Sequence, residues 1–189
     1  VQAARTGWDA AHHLSLGDAW RTRGDWPQAA AHYAAAFTLN PANPAAARAL
    51  ADASLALGRI DAALPALESL VTHDPTDLTA RYQLGLTLTA YDPRGALVHL
   101  VAASSVNPDV ASALIGAIQA ADGDLFAIGA ALFDQDEWLF AENAFREAYH
   151  RTADTQALAY VALARAAQGK EARGWLAQAV TLAPDNPSV

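Results

Sequence analysis

The side chains of this chain that could ligate a metal or move a proton fall in a few places. His12 and His13 are adjacent, Asp122 and Asp124 flank a glycine, and Asp134, Asp136 and Glu137 lie together. A metal needs donors that converge, as histidines do at i and i+4 on one helix face. Neighbouring helical residues diverge by about 100°, so His12 and His13 cannot share an ion. His13 falls on a core position and His12 lies beside it. The acidic groups stand at helix junctions, where carboxylates cap free N–H groups and complement the helix dipole. They read as caps and solvated turns, with weak cation binding as the alternative. No His-Glu-x-x-His pair, phosphate-cradling glycine loop or Gly-x-Ser-x-Gly elbow occurs. Without cysteine there is no thiol, disulfide or cysteine–zinc chemistry. The sequence therefore predicts no catalytic residue, no metal and no cofactor.

What remains is architecture. The 189 residues are 53% hydrophobic but only 8% aromatic, with alanine and leucine dominant and few β-branched runs, a composition that favours helix throughout. Pro41, Pro75, Pro108 and Pro184 end alanine-rich stretches in similar contexts: LNPANP, HDPTDL, VNPDVA and LAPDNP. The first three are spaced by about 34 residues, a period of stacked helix pairs.

Residues 10–43 show the pattern most fully. A first helix carries His13, Leu16, Gly17 and Trp20 on one face, Gly24 and Asp25 make a turn, and a second helix carries Trp26, Ala29, Tyr33 and Ala36. Gly17 and Ala29 are small where the two helices must approach, and Trp20, Trp26 and Tyr33 fill the surrounding space. Residues 44–77 repeat it with Leu50, Ala51, Ser54, Gly58, Ile60, Ala63, Leu67 and Leu70, opened by Asn43 as cap and Pro44 in the first turn. Residues 78–110 carry Leu84, Gly85, Leu88, Ala96, Leu100 and Ala103, with Asp92-Pro93 in place of the glycine turn. Residues 122–155 follow with Leu125, Ile128, Gly129, Leu132, Trp138, Ala141, Phe145 and Ala148, and Ala153 at the proline position. Residues 156–189 form a looser fifth unit through Leu158, Val161, Ala162, Gly169, Ala172, Leu176 and Ala179.

In these residues the chain resembles the tetratricopeptide repeat family, as an array of bacterial type, over nearly its whole length. The resemblance implies an all-α fold: one right-handed α-solenoid over residues 1–189, made of stacked antiparallel helix pairs, about five units plus one inserted helix at residues 109–121. It implies a scaffold or adaptor that binds a peptide or a partner helix in a concave groove and catalyses nothing. The family's groove positions, on the first helix of each pair, map here to Leu14, Asp18 and Arg21, then Arg48, Asp52 and Leu55, then Tyr82, Leu86 and Thr89, then Phe126, Ala130 and Phe133, and finally Ala159 and Leu163. Such a groove is polar at one end and apolar at the other, suited to a segment with a charged end and a hydrophobic anchor; the alternative is that some of its aromatic residues pack against neighbouring helices. Members of the family that hold a C-terminal carboxylate use Lys, Asn, Asn, Lys and Arg at positions occupied here by Leu14, Asp18, Ala49, Thr79 and Gln83. A carboxylate needs charge-assisted donors, so this chain is not expected to bind such tails.

The insertion, VASALIGAIQAA at residues 110–121, carries no charge, and LFAIGAALF at residues 125–133 follows closely. A helix apolar nearly all round is normally buried. The alternative is that segment 110–133 docks a second copy, a partner or a membrane-associated subunit, and an extra helix there would split the array into halves. Nucleic acid is not expected, because acids outnumber bases 20 to 12 and phosphate contacts need clustered Lys and Arg. No uncharged run approaches the ~20 residues of a membrane helix. The cytoplasm is the expected compartment, with the periplasm or the face of a membrane complex as alternatives. Val1 and the closing PDNPSV suggest a chain that continues at both ends, so a regulatory or docking part of a larger enzyme or membrane-associated complex is the second reading.

Overall fold

The computed structural model describes residues 9–120 and 122–182. Among the described residues there are eleven helices and no strand. The predicted marker Pro184 lies outside them. The chain divides into two compact units between Leu84 and Gly85.

The first unit opens with α1 (Ala10–Thr22) and α2 (Trp26–Leu39). Asp9 caps α1 by accepting the His12 N–H, and Asp25 caps α2 by accepting the Gln28 N–H. Between them Gly24 turns the chain at φ 78°, a value that costs glycine nothing. Gly17 is buried against the ring of Tyr33, and Ala29 and Ala36 are fully buried. The helices approach here because one partner has no side chain. His13 is half-buried, and its Nδ1 lies 3.1 Å from Nδ1 of His32 on α2. Next come α3 (Pro44–Ala56) and α4 (Ile60–His73), which pack on each other, with α2 against α3. Asn43 accepts the N–H groups of Ala45 and Ala46, and Pro44 occupies the first turn. The predicted core positions Leu50, Ala51, Ser54, Ile60, Ala63, Leu67 and Leu70 are all buried. The division between the units falls within α5 (Leu78–Leu88), whose first turn Asp77 caps through the Ala80 N–H.

The second unit contains α6 (Pro93–Ala102), α7 (Pro108–Ala120), α8 (Leu125–Asp134), α9 (Trp138–Thr152), α10 (Thr155–Ala167) and α11 (Arg173–Leu182). Asp92 caps α6 through the Gly95 N–H, Asp124 caps α8 through Phe126, and Asp154 caps α10 through Gln156. Asp136 takes a left-handed turn conformation at φ 61°. The close crossings recur: Gly85 lies against Leu100 and Gly129 against Phe145.

Helix α7 (Pro108–Ala120) lies on the segment where the sequence places an extra helix, but it is not apolar all round. Val110, Ala111, Leu114 and Ile118 are buried on one face, while Ser112, Gly116 and Gln119 are exposed on the other. It packs against both α6 and α8. No large apolar side chain of segment 110–133 is exposed. The buried residues of α7 are taken up in packing on α6 and α8, and all three helices lie in the second unit.

Candidate functional site

In the first unit, α1, α2 and α3 enclose a cleft of about 360 Å³, lined by Asp18, Arg21, Trp26, Tyr33, Ala45, Arg48, Ala49 and Asp52. Four of these, Asp18, Arg21, Arg48 and Asp52, are positions to which the sequence assigned groove contacts. Asp18 and Arg21 project from successive turns of α1, and Arg48 and Asp52 do so from α3. The remaining lining is small or aromatic.

The charges in the cleft are arranged unequally. Asp18 Oδ1 accepts the Tyr33 hydroxyl at 2.8 Å and lies 3.4 Å from Arg21 Nη2, with both charged side chains about half exposed. Arg48 is held from the other side, by an ion pair with Asp77 and by Gln83 at 3.4 Å. Asp52 is exposed. Burial pushes the Tyr33 hydroxyl up to a pKa of about 12, and its hydrogen bond to the Asp18 carboxylate adds to the effect. Tyr33 therefore serves as a neutral donor that fixes Asp18 at the cleft wall.

The other expected groove residues divide. Leu14 and Leu55 are half-buried. Tyr82, Leu86 and Thr89 are buried, at 8%, 3% and 0% exposure. This corrects their assignment as contact residues: α5 turns these side chains into the core. In the second unit Phe126 and Phe133 are half-buried, Ala159 is buried and Leu163 is exposed. Phe126 belongs to a three-ring cluster, with its centroid 5.3 Å from Phe145 and 5.1 Å from Tyr160, which stands edge-on to it. Phe126 also borders a smaller cleft of about 270 Å³ with Asp124, Arg151 and Asp154.

Three features escaped the sequence reading. Trp26 and Tyr33, which the repeat pattern marks as filling residues, both reach the cleft. Tyr160 sits one position after the transferred Ala159, a shift too small to detect in so loose a repeat. Glu142 is buried on α9 and gathers Arg146, Arg165, Gln168 and Lys170 around it. No spacing rule links residue 142 to 165–170, because the contact joins successive helix pairs. Among the described residues no three His, Asp or Glu side chains are grouped to hold a metal ion, and no helix is long and apolar enough to cross a membrane.

Comparison with known proteins bears on the repeats. Residues 21–87 match the family model described as tetratricopeptide repeat. No curated protein sequence matches the chain. Among solved structures, MamA is 22% identical, with 93% of this chain and 92% of that one covered and a TM-score of 0.47. YrrB, described as a tetratricopeptide protein with an unusual peptide-binding site, is 18% identical over 95% of this chain and 89% of its own, at a TM-score of 0.45. A tetratricopeptide repeat protein from Parabacteroides merdae is 20% identical over 96% of this chain and 66% of its own, at 0.49. The family match covers the cleft from Arg21 onward and the helix pair that follows it. Residues 21–87 thus match the tetratricopeptide repeat, and the pair α8–α9 repeats the contact of a glycine against an aromatic ring that Gly17 and Tyr33 make in the pair α1–α2.

Proposed function

We propose that this chain is a non-catalytic interaction scaffold that binds a peptide or helical segment of a partner protein in the cleft lined by Asp18, Arg21, Trp26, Arg48 and Asp52. The tetratricopeptide fold is in general that of a protein-interaction scaffold. The observation that carries the finer reading is the convergence of two charged pairs from different repeats on one cleft with an indole at its edge. Charged groups set register and partner choice, and aromatic anchors supply much of the binding energy. Arg48 is held by Asp77 and Gln83, so it is already oriented when a ligand arrives, which lowers the entropy cost of binding. In the second unit, Phe126 and Phe133 are the candidates for apolar contacts.

The test is selection of random peptides on the full chain, followed by affinity measurement on a folded Arg21→Ala, Asp52→Ala variant. Both residues are exposed, so the variant should keep its helicity. Loss of about tenfold or more in affinity supports the cleft. Selected peptides that bind parent and variant equally would place recognition elsewhere.

A further inference from the structure

The second unit gathers nearly all of its positive charge at one end of its sequence. Residues 95–137 contain no lysine or arginine, whereas residues 138–182 contain five of the chain's twelve. Three of those five meet at one point. The Glu142 carboxylate is 5% exposed and takes Arg165 Nη1 at 2.8 Å, Gln168 Nε2 at 3.0 Å and Lys170 Nζ at 3.5 Å, with Arg146 Nη2 closing on the same group. One carboxylate cannot neutralise three cations.

The donor inventory points the same way. Each arginine offers five N–H groups and lysine three. Arg146 uses one on Glu142, Lys170 makes only a 3.5 Å ion pair with it, and Arg165 uses one on Glu142 and another on the Glu171 carbonyl at 2.7 Å. Most donors of the trio are left over, and Arg146 Nε is buried without a partner. The side chains of Arg146 and Lys170 are each 36% exposed, so the excess charge meets solvent. The Arg146 guanidinium lies 5.5 Å over the Trp175 ring, which holds its planar fork in one orientation.

We propose that Arg146, Arg165 and Lys170, with Trp175 beside them, form a second docking surface that takes an acidic segment of a partner protein. The fork of an oriented arginine matches a carboxylate in two-point contact. The chain's net charge of −8 disfavours a long polyanion such as nucleic acid, which must run over the rest of the surface, more than a short acidic segment that contacts this patch alone. Glu142 keeps the three cations together in the absence of a partner, so the surface is assembled before it is filled.

Lys170 is the chain's single lysine, and this supplies a direct probe. Reductive methylation of the full chain with a carbon-13 label marks Lys170 and the N-terminal amine alone. Titration with octaglutamate should move the Lys170 signal saturably and less so as salt is raised. A dye-labelled octaglutamate should bind an Arg146→Gln, Lys170→Gln variant about tenfold more weakly than the parent, near threefold for each cation removed. Binding by the Arg21→Ala, Asp52→Ala variant should be unchanged, which separates this surface from the cleft. An unmoved Lys170 signal at saturating octaglutamate overturns the proposal, and this reading stands even if the glutamine variant fails to fold. Equal binding by parent and folded glutamine variant overturns it too. Displacement by inorganic phosphate or oligothymidylate as effectively as by unlabelled octaglutamate would make this a general anion site and reject the acidic-protein assignment.

Discussion

Gly17 and Tyr33 are in direct contact across the first helix crossing: a β-carbon on Gly17 would stand 2.4 Å from Cε1 of the ring and 2.5 Å from Cδ1. The ring has nowhere to go, since Tyr33 is 1% exposed and its hydroxyl is anchored on Asp18. Gly17→Ala should therefore destabilise the chain, with overpacking of about 1–3 kcal/mol outweighing the helix propensity gained, about 1 kcal/mol. Gly116→Ala on α7 should do the opposite, because nothing lies within 4 Å of a β-carbon there, and it should gain up to about 1 kcal/mol. Thermal melts of the two variants should shift in opposite directions.

Ala153 follows α9 in the left-handed conformation, at φ 55°. That region costs an L-residue about 1 kcal/mol relative to glycine. Ala153→Gly should raise the urea midpoint by a corresponding amount, even though it removes a methyl and adds no contact. A lower midpoint would mean that the extra freedom of glycine in the unfolded chain outweighs the relief.

Tyr33 should ionise late. Its pKa is raised from 10.0 to about 12, so the folded state holds the proton that the unfolded state releases. The stabilisation is complete below pH 10 and is lost as pH rises toward 12. Absorbance near 295 nm should show a late-ionising tyrosine in the parent, and Tyr33→Phe should lack it while retaining the helical spectrum.

Glu142 predicts the acid limb. Burial pushes its pKa up, but hydrogen bonds from Gln168 and Arg165 and the charges of Lys170 and Arg146 outweigh burial and hold it below 4.5. A lowered carboxyl pKa contributes stability that is present above 4.5 and lost as pH falls through the folded value. Glu142→Gln should be less stable than the parent at neutral pH. The gap should close progressively below pH 4.5, when both chains carry an uncharged side chain at this position. A gap independent of pH would assign the loss to packing alone.

The sequence by itself determined the helix pairs. Local rules suffice for these: Asn43 before Pro44, Asp92 before Pro93, and Asp124 and Asp154 at helix starts act within a few residues of where they stand. The 34-residue spacing likewise identifies the small residues at crossings, although it does not say that the partner of Gly17 is Tyr33 or that of Gly85 is Leu100. Tertiary structure decided which helix faces remain open. Asp18, Arg21, Arg48 and Asp52 reach one cleft, whereas Tyr82, Leu86 and Thr89, at equivalent repeat positions, are buried. It also decided that α7 spends its apolar residues on α6 and α8, and that Glu142 collects charges from a neighbouring pair. Repeat periodicity fixes a residue's angle around its own helix, but exposure depends on the neighbouring helices and the side chains they bring, which a single repeat does not encode.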